Sequence, residues 1–112
     1  MAQPRSEFVE YLTEVFESFG PITAKRMFGG YGIYHDGLIF GIVADDVLYL
    51  KADDASAESF TERDLPMFEY TKQGKRMQIS YYAAPEEIFD DPDEARSWAT
   101  LAYEASLRSR RN

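Results

Sequence analysis

The chain has 112 residues, 45% of them apolar and 29% charged, which is the balance of a globular protein and the length of one domain spanning 1–112. It carries 12 Lys and Arg against 20 Asp and Glu, a net charge of −8, and this acidity argues against direct DNA binding through a broad basic face. The absence of cysteine excludes disulfides and thiolate metal sites, and no apolar run approaches the ~20 residues that span a bilayer.

Apolar residues at helical spacing predict a first helix over residues 5–19. Phe8, Leu12 and Phe19 fall on one face, and glutamates occupy the other. Gly20 and Pro21 end the helix, because glycine accepts a left-handed cap and proline cannot continue the hydrogen-bond ladder. No basic start or apolar signal segment precedes it, so we expect a cytoplasmic protein without a membrane anchor.

The periodicity then changes to that of strands, and four are predicted at residues 22–28, 31–34, 38–44 and 47–52. Because short turns join them, they must be antiparallel. The nearly unbroken apolar run 38–44 predicts a central strand covered on both faces. By contrast, Leu48 and Leu50 alternate with Tyr49 and Lys51, which predicts one buried face.

The second half of the sequence predicts a short helix, a hairpin and a long terminal helix. Asp53 or Asp54 can cap the short helix at 55–63, and strands are expected at 67–71 and 75–82. Residues 85–89 form a linker or one helical turn, and Asp91 and Pro92 begin a last helix that runs to about 108. The order predicts an α+β fold with helices on one face of an antiparallel sheet, not a doubly wound one.

Three motifs are candidate sites of chemistry, and each has a simpler structural explanation. His35 is the sole histidine, expected to be exposed before the Asp36–Gly37 turn, with no nucleophile assigned to it. Glycines at 29, 30 and 32 resemble a phosphate loop, but strand rather than helix follows, which favours a tight turn. Six acids between 86 and 94 favour a helix N-terminus, with a Ca²⁺ or Mg²⁺ site as the alternative. We therefore predict no catalytic residue, no metal ligand and no cofactor.

Two sets of residues are candidate surfaces. On the last helix, Ala95, Trp98, Leu101, Ala102 and Ala105 share the face expected to pack on the domain, while Tyr103 and Leu107 project from the opposite side. That pair predicts a partner or homodimer surface. The alternative is a ligand or single-stranded nucleic-acid face formed by the aromatic-rich sheet with Arg26 and Lys51. Lys25 and Arg26 point to opposite faces of their strand, so only one can belong to it.

The segment 26–34, which reads RMFGGYGIY, together with 37–41, 48–51, 68–70 and 80–86, resembles the TfoX N-terminal domain family. The resemblance covers nearly the whole chain. It implies a fold similar to the secretion chaperones, with a helix, antiparallel strands, a helix, two strands and a helix.

The best-known members, the TfoX or Sxy proteins, are competence regulators that assist a cyclic-AMP receptor protein and carry a C-terminal domain resembling a DNA-binding module. This chain ends at Asn112, so we expect a stand-alone domain without that module. The resemblance implies a non-enzymatic transcription or competence regulator acting through a protein partner, with the transcription machinery as the expected partner. The homodimer is predicted by Tyr103 and Leu107 instead.

Overall fold

The computed structural model describes residues 6–27 and 29–110, which form one six-stranded antiparallel sheet, three α-helices and a 3₁₀ helix. The α+β fold expected from the sequence is confirmed. The strands are β1 (Thr23–Met27), β2 (Gly30–His35), β3 (Leu38–Ala44), β4 (Val47–Lys51), β5 (Met67–Lys72) and β6 (Lys75–Ala83). The helices are α1 (Glu7–Val15), α2 (Ala57–Thr61) and α3 (Pro92–Arg110), with the 3₁₀ helix at Glu86–Phe89.

Helix α1 is shorter than its periodicity predicts. Ser6 caps it by accepting a hydrogen bond from the Val9 amide at 3.1 Å. The α-helix ends at Val15, and residues 16–19 continue as turns that still bury Phe16 in the core. The predicted helix start at residue 5 and the predicted end of β1 at Phe28 lie outside the described residues, as does Asn112.

The strand order is β1-β2-β3-β4-β6-β5, and every neighbouring pair is antiparallel. Between β2 and β3 the register shifts, because Ile33 lies opposite Gly41 whereas Tyr34 lies opposite Ile39. Phe40 is therefore the extra residue of a β-bulge, and its ring enters the core. The bulge leaves Ile39 and Ile42 on the face away from that core.

The helices pack on one face of the sheet, as expected. Helix α3 contributes small side chains, Ala95, Ala99 and Ala102, which are fully buried against β3 and β4 and let the helix approach closely. The Ser106 hydroxyl donates a hydrogen bond to the Ile39 carbonyl at 2.6 Å, which ties the helix to the sheet. None of the described helices is both long and apolar enough to cross a membrane.

The face of the sheet away from the helices is less covered at the central strand β3 than the sequence predicts. The apolar run 38–44 predicted cover on both sides of β3, but within residues 6–27 and 29–110 the helices cover one side only. Ile39 and Ile42 are half-buried, and the core cluster on the helix side does not include them. They are shielded by neighbouring side chains of the sheet itself.

Candidate interaction surface

The strand residues that point away from the helices form one continuous surface, which we call the open face. The pairing register places Lys25, Gly32, Ile42, Tyr49 and Ala83 side by side across five strands of this surface. Its aromatic and aliphatic members are Tyr34, Ile39, Ile42, Tyr49, Phe68 and Tyr81. Antiparallel sheets with one solvated face normally alternate apolar-in and polar-out, so apolar residues in outward positions are unusual.

The exposed apolar side chains are also concentrated on the open face. Among the described residues the most exposed large apolar side chains are Val47 (40%), Met77 (39%), Tyr70 (38%) and Tyr11 (41%). The first three lie on the open face, and only Tyr11 lies on a helix. A concentration of exposed apolar side chains on one surface indicates a site of interaction more than isolated exposure does.

Gly32 organises the centre of the open face. A Cβ atom at this position would lie 2.6 Å from the Met27 sulfur and 3.0 Å from atoms of both Ile39 and Tyr34. These three side chains close over the glycine because it has no side chain of its own. The result is a flat apolar layer instead of a row of separate side chains.

The aromatic rings continue this layer towards the β5–β6 hairpin. The Tyr49 and Phe68 rings meet edge to face with centroids 4.8 Å apart, and Phe68 stacks on Tyr70 at 6.0 Å. Tyr81 is buried among its neighbours, and this burial, with a smaller contribution from nearby Tyr34, raises the pKa of Tyr81 to about 12.

Charge is distributed unevenly between the sheet and the rest of the chain. The six strands contain six basic residues and a single acid, Glu69, so the remaining residues hold 12 − 6 = 6 basic and 20 − 1 = 19 acidic residues. Glu69 points to the helix side, where it accepts hydrogen bonds from Arg76 and Gln78. No strand residue on the open face is acidic.

Four lysines lie on the open face by register, namely Lys25, Lys51, Lys72 and Lys75. The Lys25 ammonium lies 5.0 Å from the centre of the Tyr34 ring, and that of Lys51 lies 5.3 Å from the centre of the Tyr81 ring. These cation–π contacts hold two positive charges against the apolar layer. The surface is therefore apolar and cationic within a strongly acidic protein.

The structure separates the residues proposed from sequence as a ligand face. Arg26 pairs with Tyr31, whose row continues to buried Val43 and Leu48, so Arg26 lies on the helix side of the sheet. Lys51 pairs with Tyr81 on the open face. Arg26 and Lys51 therefore do not share a surface, and Lys25 is the β1 cation that accompanies Lys51.

The second proposed pair, Tyr103 and Leu107, does not project from α3 as the helical spacing suggested. Both side chains are half-buried, and the Tyr103 ring lies 6.0 Å from that of Phe19 and 5.0 Å from that of His35. The turns after α1 and the end of β2 flank the helix, so this side of α3 packs too. A homodimer role for the pair is untested and remains a prediction.

His35 is a structural residue, and the expectation that it is exposed is wrong. Its side chain is 16% exposed, and its Nδ1–H donates a hydrogen bond to the Pro21 carbonyl at 2.7 Å. The ring also lies 4.6 Å from that of Phe19. His35 thus fastens the connection between α1 and β1 to the end of β2.

The acidic segment before α3 forms the expected helix start. Asp91 accepts a hydrogen bond from the Asp93 amide at 2.9 Å and a weaker one from Glu94 at 3.4 Å. Within the described part of the chain, no three acidic or histidine side chains are grouped closely enough to hold a metal ion. Two shallow grooves lie beside Phe89 and Trp98, and each opens broadly to solvent.

Fold and surface together define a class: a small α+β domain with helices on one face of an antiparallel sheet and an apolar, lysine-bearing surface on the other. The family follows from comparison of the sequence. The chain belongs to the TfoX N-terminal domain family, whose model matches residues 14–106.

A curated relative supports the same assignment. The chain is 25% identical over 97 residues to Protein Sxy of Escherichia coli (strain K12). That alignment covers 87% of this chain and 46% of Sxy, so the chain spans about half the length of the relative it matches.

Proposed function

We propose that this chain is a non-enzymatic regulatory domain of the TfoX and Sxy type that acts in the cytoplasm by binding a protein partner through the open face. Membership of the TfoX N-terminal domain family supports the regulatory part, since its best-known members are competence and transcription regulators. The open face supports the partner-binding part. The transcription machinery is the partner class that the family resemblance implies.

The observation that carries this proposal is the outer side of β3. Its sequence is that of a strand buried on both faces, yet no described element covers Ile39 and Ile42. An interaction partner would supply the missing cover and bury Val47 and Tyr70, which are exposed in the isolated domain.

The test is complementation of a host strain that lacks this protein. Transcripts that change in that strain are measured after return of the wild type, of Ile42→Asp, which places a charge in the open face, and of Tyr11→Asp, which places the same charge at an exposed position on α1. We expect Tyr11→Asp to restore the transcripts and Ile42→Asp to fail while remaining folded. Restoration by both variants, or the absence of any transcript change in the strain, would contradict the proposal.

A second candidate is binding of a small ligand or a single-stranded nucleic acid on the same surface. The aromatic rings and four lysines of the open face favour it, because base stacking and cationic side chains are what such binding uses. Trp98 cannot report on this face, since it packs on Phe60 on the helix side. A Tyr49→Trp variant places the reporter in the surface, and a salt-sensitive fluorescence change on titration with oligonucleotides would support this candidate.

A further inference from the structure

We propose that the open face docks an acidic, amphipathic segment of a partner protein, whose apolar side chains cover Tyr34, Ile39 and Ile42 while its carboxylates pair with Lys25 and Lys51. This inference rests on the proposed function, because it names the chemistry of the partner that the open face receives. It commits to a peptide segment rather than a nucleic acid.

Charge complementarity is the first argument. The strands carry six basic residues and one acid, although the whole chain has 12 and 20. The single strand acid, Glu69, is paired on the opposite side. A cationic surface on a protein of net charge −8 favours a partner whose negative charge is confined to a short segment, because the many acidic residues outside the strands would repel a larger polyanion.

The spacing of the two central lysines is the second argument. Lys25 on β1 is level with Tyr49 on β4, three strand spacings away, and Lys51 lies two residues further along β4, so the Cα atoms of the two lysines are ~16 Å apart. Tyr34 and Ile39 lie between them. Two carboxylates separated by two turns of a helix, ~11 Å, fall within reach of these lysines once the length of their side chains is included. An apolar residue between the carboxylates would then meet the centre of the face.

The orientation of the rings distinguishes a peptide from a nucleic acid. Bases stack on exposed ring faces, but the Lys25 and Lys51 ammonium groups already lie over those of Tyr34 and Tyr81. The Tyr49 and Phe68 rings meet at an interplanar angle of 61°, so these two rings offer no common plane for successive bases, and Phe68 is already stacked on Tyr70. Carboxylates, in contrast, can approach the ammonium groups without displacing them from the rings.

The experiment measures peptide binding to the full chain by fluorescence anisotropy. The probe is a labelled helical peptide that carries glutamates two turns apart on one face, with leucine or phenylalanine between them. The matched probe carries lysine in place of every glutamate. We expect the glutamate peptide alone to bind, with an affinity that falls as salt is raised. The double variant Lys25→Glu with Lys51→Glu should weaken it by roughly tenfold or more.

The control variant is Arg96→Glu, which makes the same kind of charge reversal on the solvent side of α3. It should bind the glutamate peptide as the wild type does. A Lys25→Gln with Lys51→Gln variant, which removes charge without introducing any, should give an intermediate loss. Circular dichroism of each variant establishes that it is folded.

Three outcomes would overturn the proposal. The first is equal binding of the two peptides, and the second is binding of the glutamate peptide that both lysine variants leave unchanged. The third is binding of oligo-dT, lost in the lysine variants, without binding of the glutamate peptide, which would assign the surface to single-stranded nucleic acid.

Failure of this inference is distinguishable from failure of the proposed function. If Ile42→Asp fails to restore the transcripts but the lysine variants restore them fully, the open face binds a partner without using acidic residues of that partner. If Ile42→Asp restores regulation, the proposed function itself fails. Peptide binding is measured on the purified chain and does not depend on the transcript measurement.

Discussion

Asp53 joins the loop after β4 to the end of α3, and its replacement by asparagine tests how much this link contributes. Its carboxylate accepts two hydrogen bonds from Arg108, at 2.6 Å from Nε and 2.9 Å from Nη2. The same carboxylate accepts from the Ala55 amide at 3.1 Å and from the Ser56 hydroxyl at 3.2 Å before α2. Asp53→Asn keeps the acceptor for the loop and removes the charge that Arg108 binds.

The pKa of Asp53 sets the size and the sign of the effect. Hydrogen bonding by Arg108 lowers it from 3.8 to about 2. At 1.36 kcal/mol per unit this corresponds to at most ~2.4 kcal/mol, and solvent screening of a partly exposed pair reduces it to about 1 kcal/mol. Because the folded-state pKa is depressed, this stability is present above pH 4 and is lost as the pH falls from about 4 to about 2.

The assay is urea denaturation followed by the fluorescence of Trp98, which is half-buried against Phe60. At pH 7 we expect Asp53→Asn to lower the free energy of unfolding by about 1 kcal/mol, and its difference from the wild type to shrink below pH 4. Asp54→Asn makes the same charge change at an exposed neighbour and should be near neutral. A pH-independent deficit in Asp53→Asn, or an equal loss in Asp54→Asn, would refute the reasoning.

Four further substitutions have defined outcomes. Gly30→Ala should cost about 3 kcal/mol or more in urea denaturation, because its Cβ would lie 2.1 Å from the Val43 carbonyl oxygen, whereas Gly32→Ala meets only side chains and should cost about 1 kcal/mol. His35→Ala should cost about 2 to 3 kcal/mol through loss of its hydrogen bond and ring contacts, and an unchanged midpoint would contradict its structural role. Leu107→Lys should lower the mass seen by light scattering if α3 mediates self-association, and an unchanged mass removes that prediction.

Much of the fold was predictable from local pattern. Helical spacing and the Asp91–Pro92 start located α3, and turn residues with alternating segments located all six strands within one or two residues of the described ends. The errors have a tertiary cause. Spacing alone placed Tyr103 outward, because it cannot show that Phe19 and His35 flank the helix.

The surface was only partly predictable. The net charge of −8 does not reveal the cationic open face, because it adds the charge of the basic strands to that of the acidic helices and loops. A count of charge for each strand and helix separately reveals that the strands are basic. Only the strand register shows that Lys25, and not Arg26, shares a face with Lys51. The sequence of a strand does not show which of its two faces the helices cover.

The central claim, that the open face is the surface that receives a protein partner, is tested most directly by site-specific photocrosslinking in the host cell. A benzophenone amino acid is placed at Tyr70, which is 38% exposed on the open face, or at Tyr11, which is 41% exposed on α1. We expect a discrete crosslinked protein from the Tyr70 position and none from Tyr11. A crosslink from Tyr11 with none from Tyr70 would contradict the assignment of the partner to the open face.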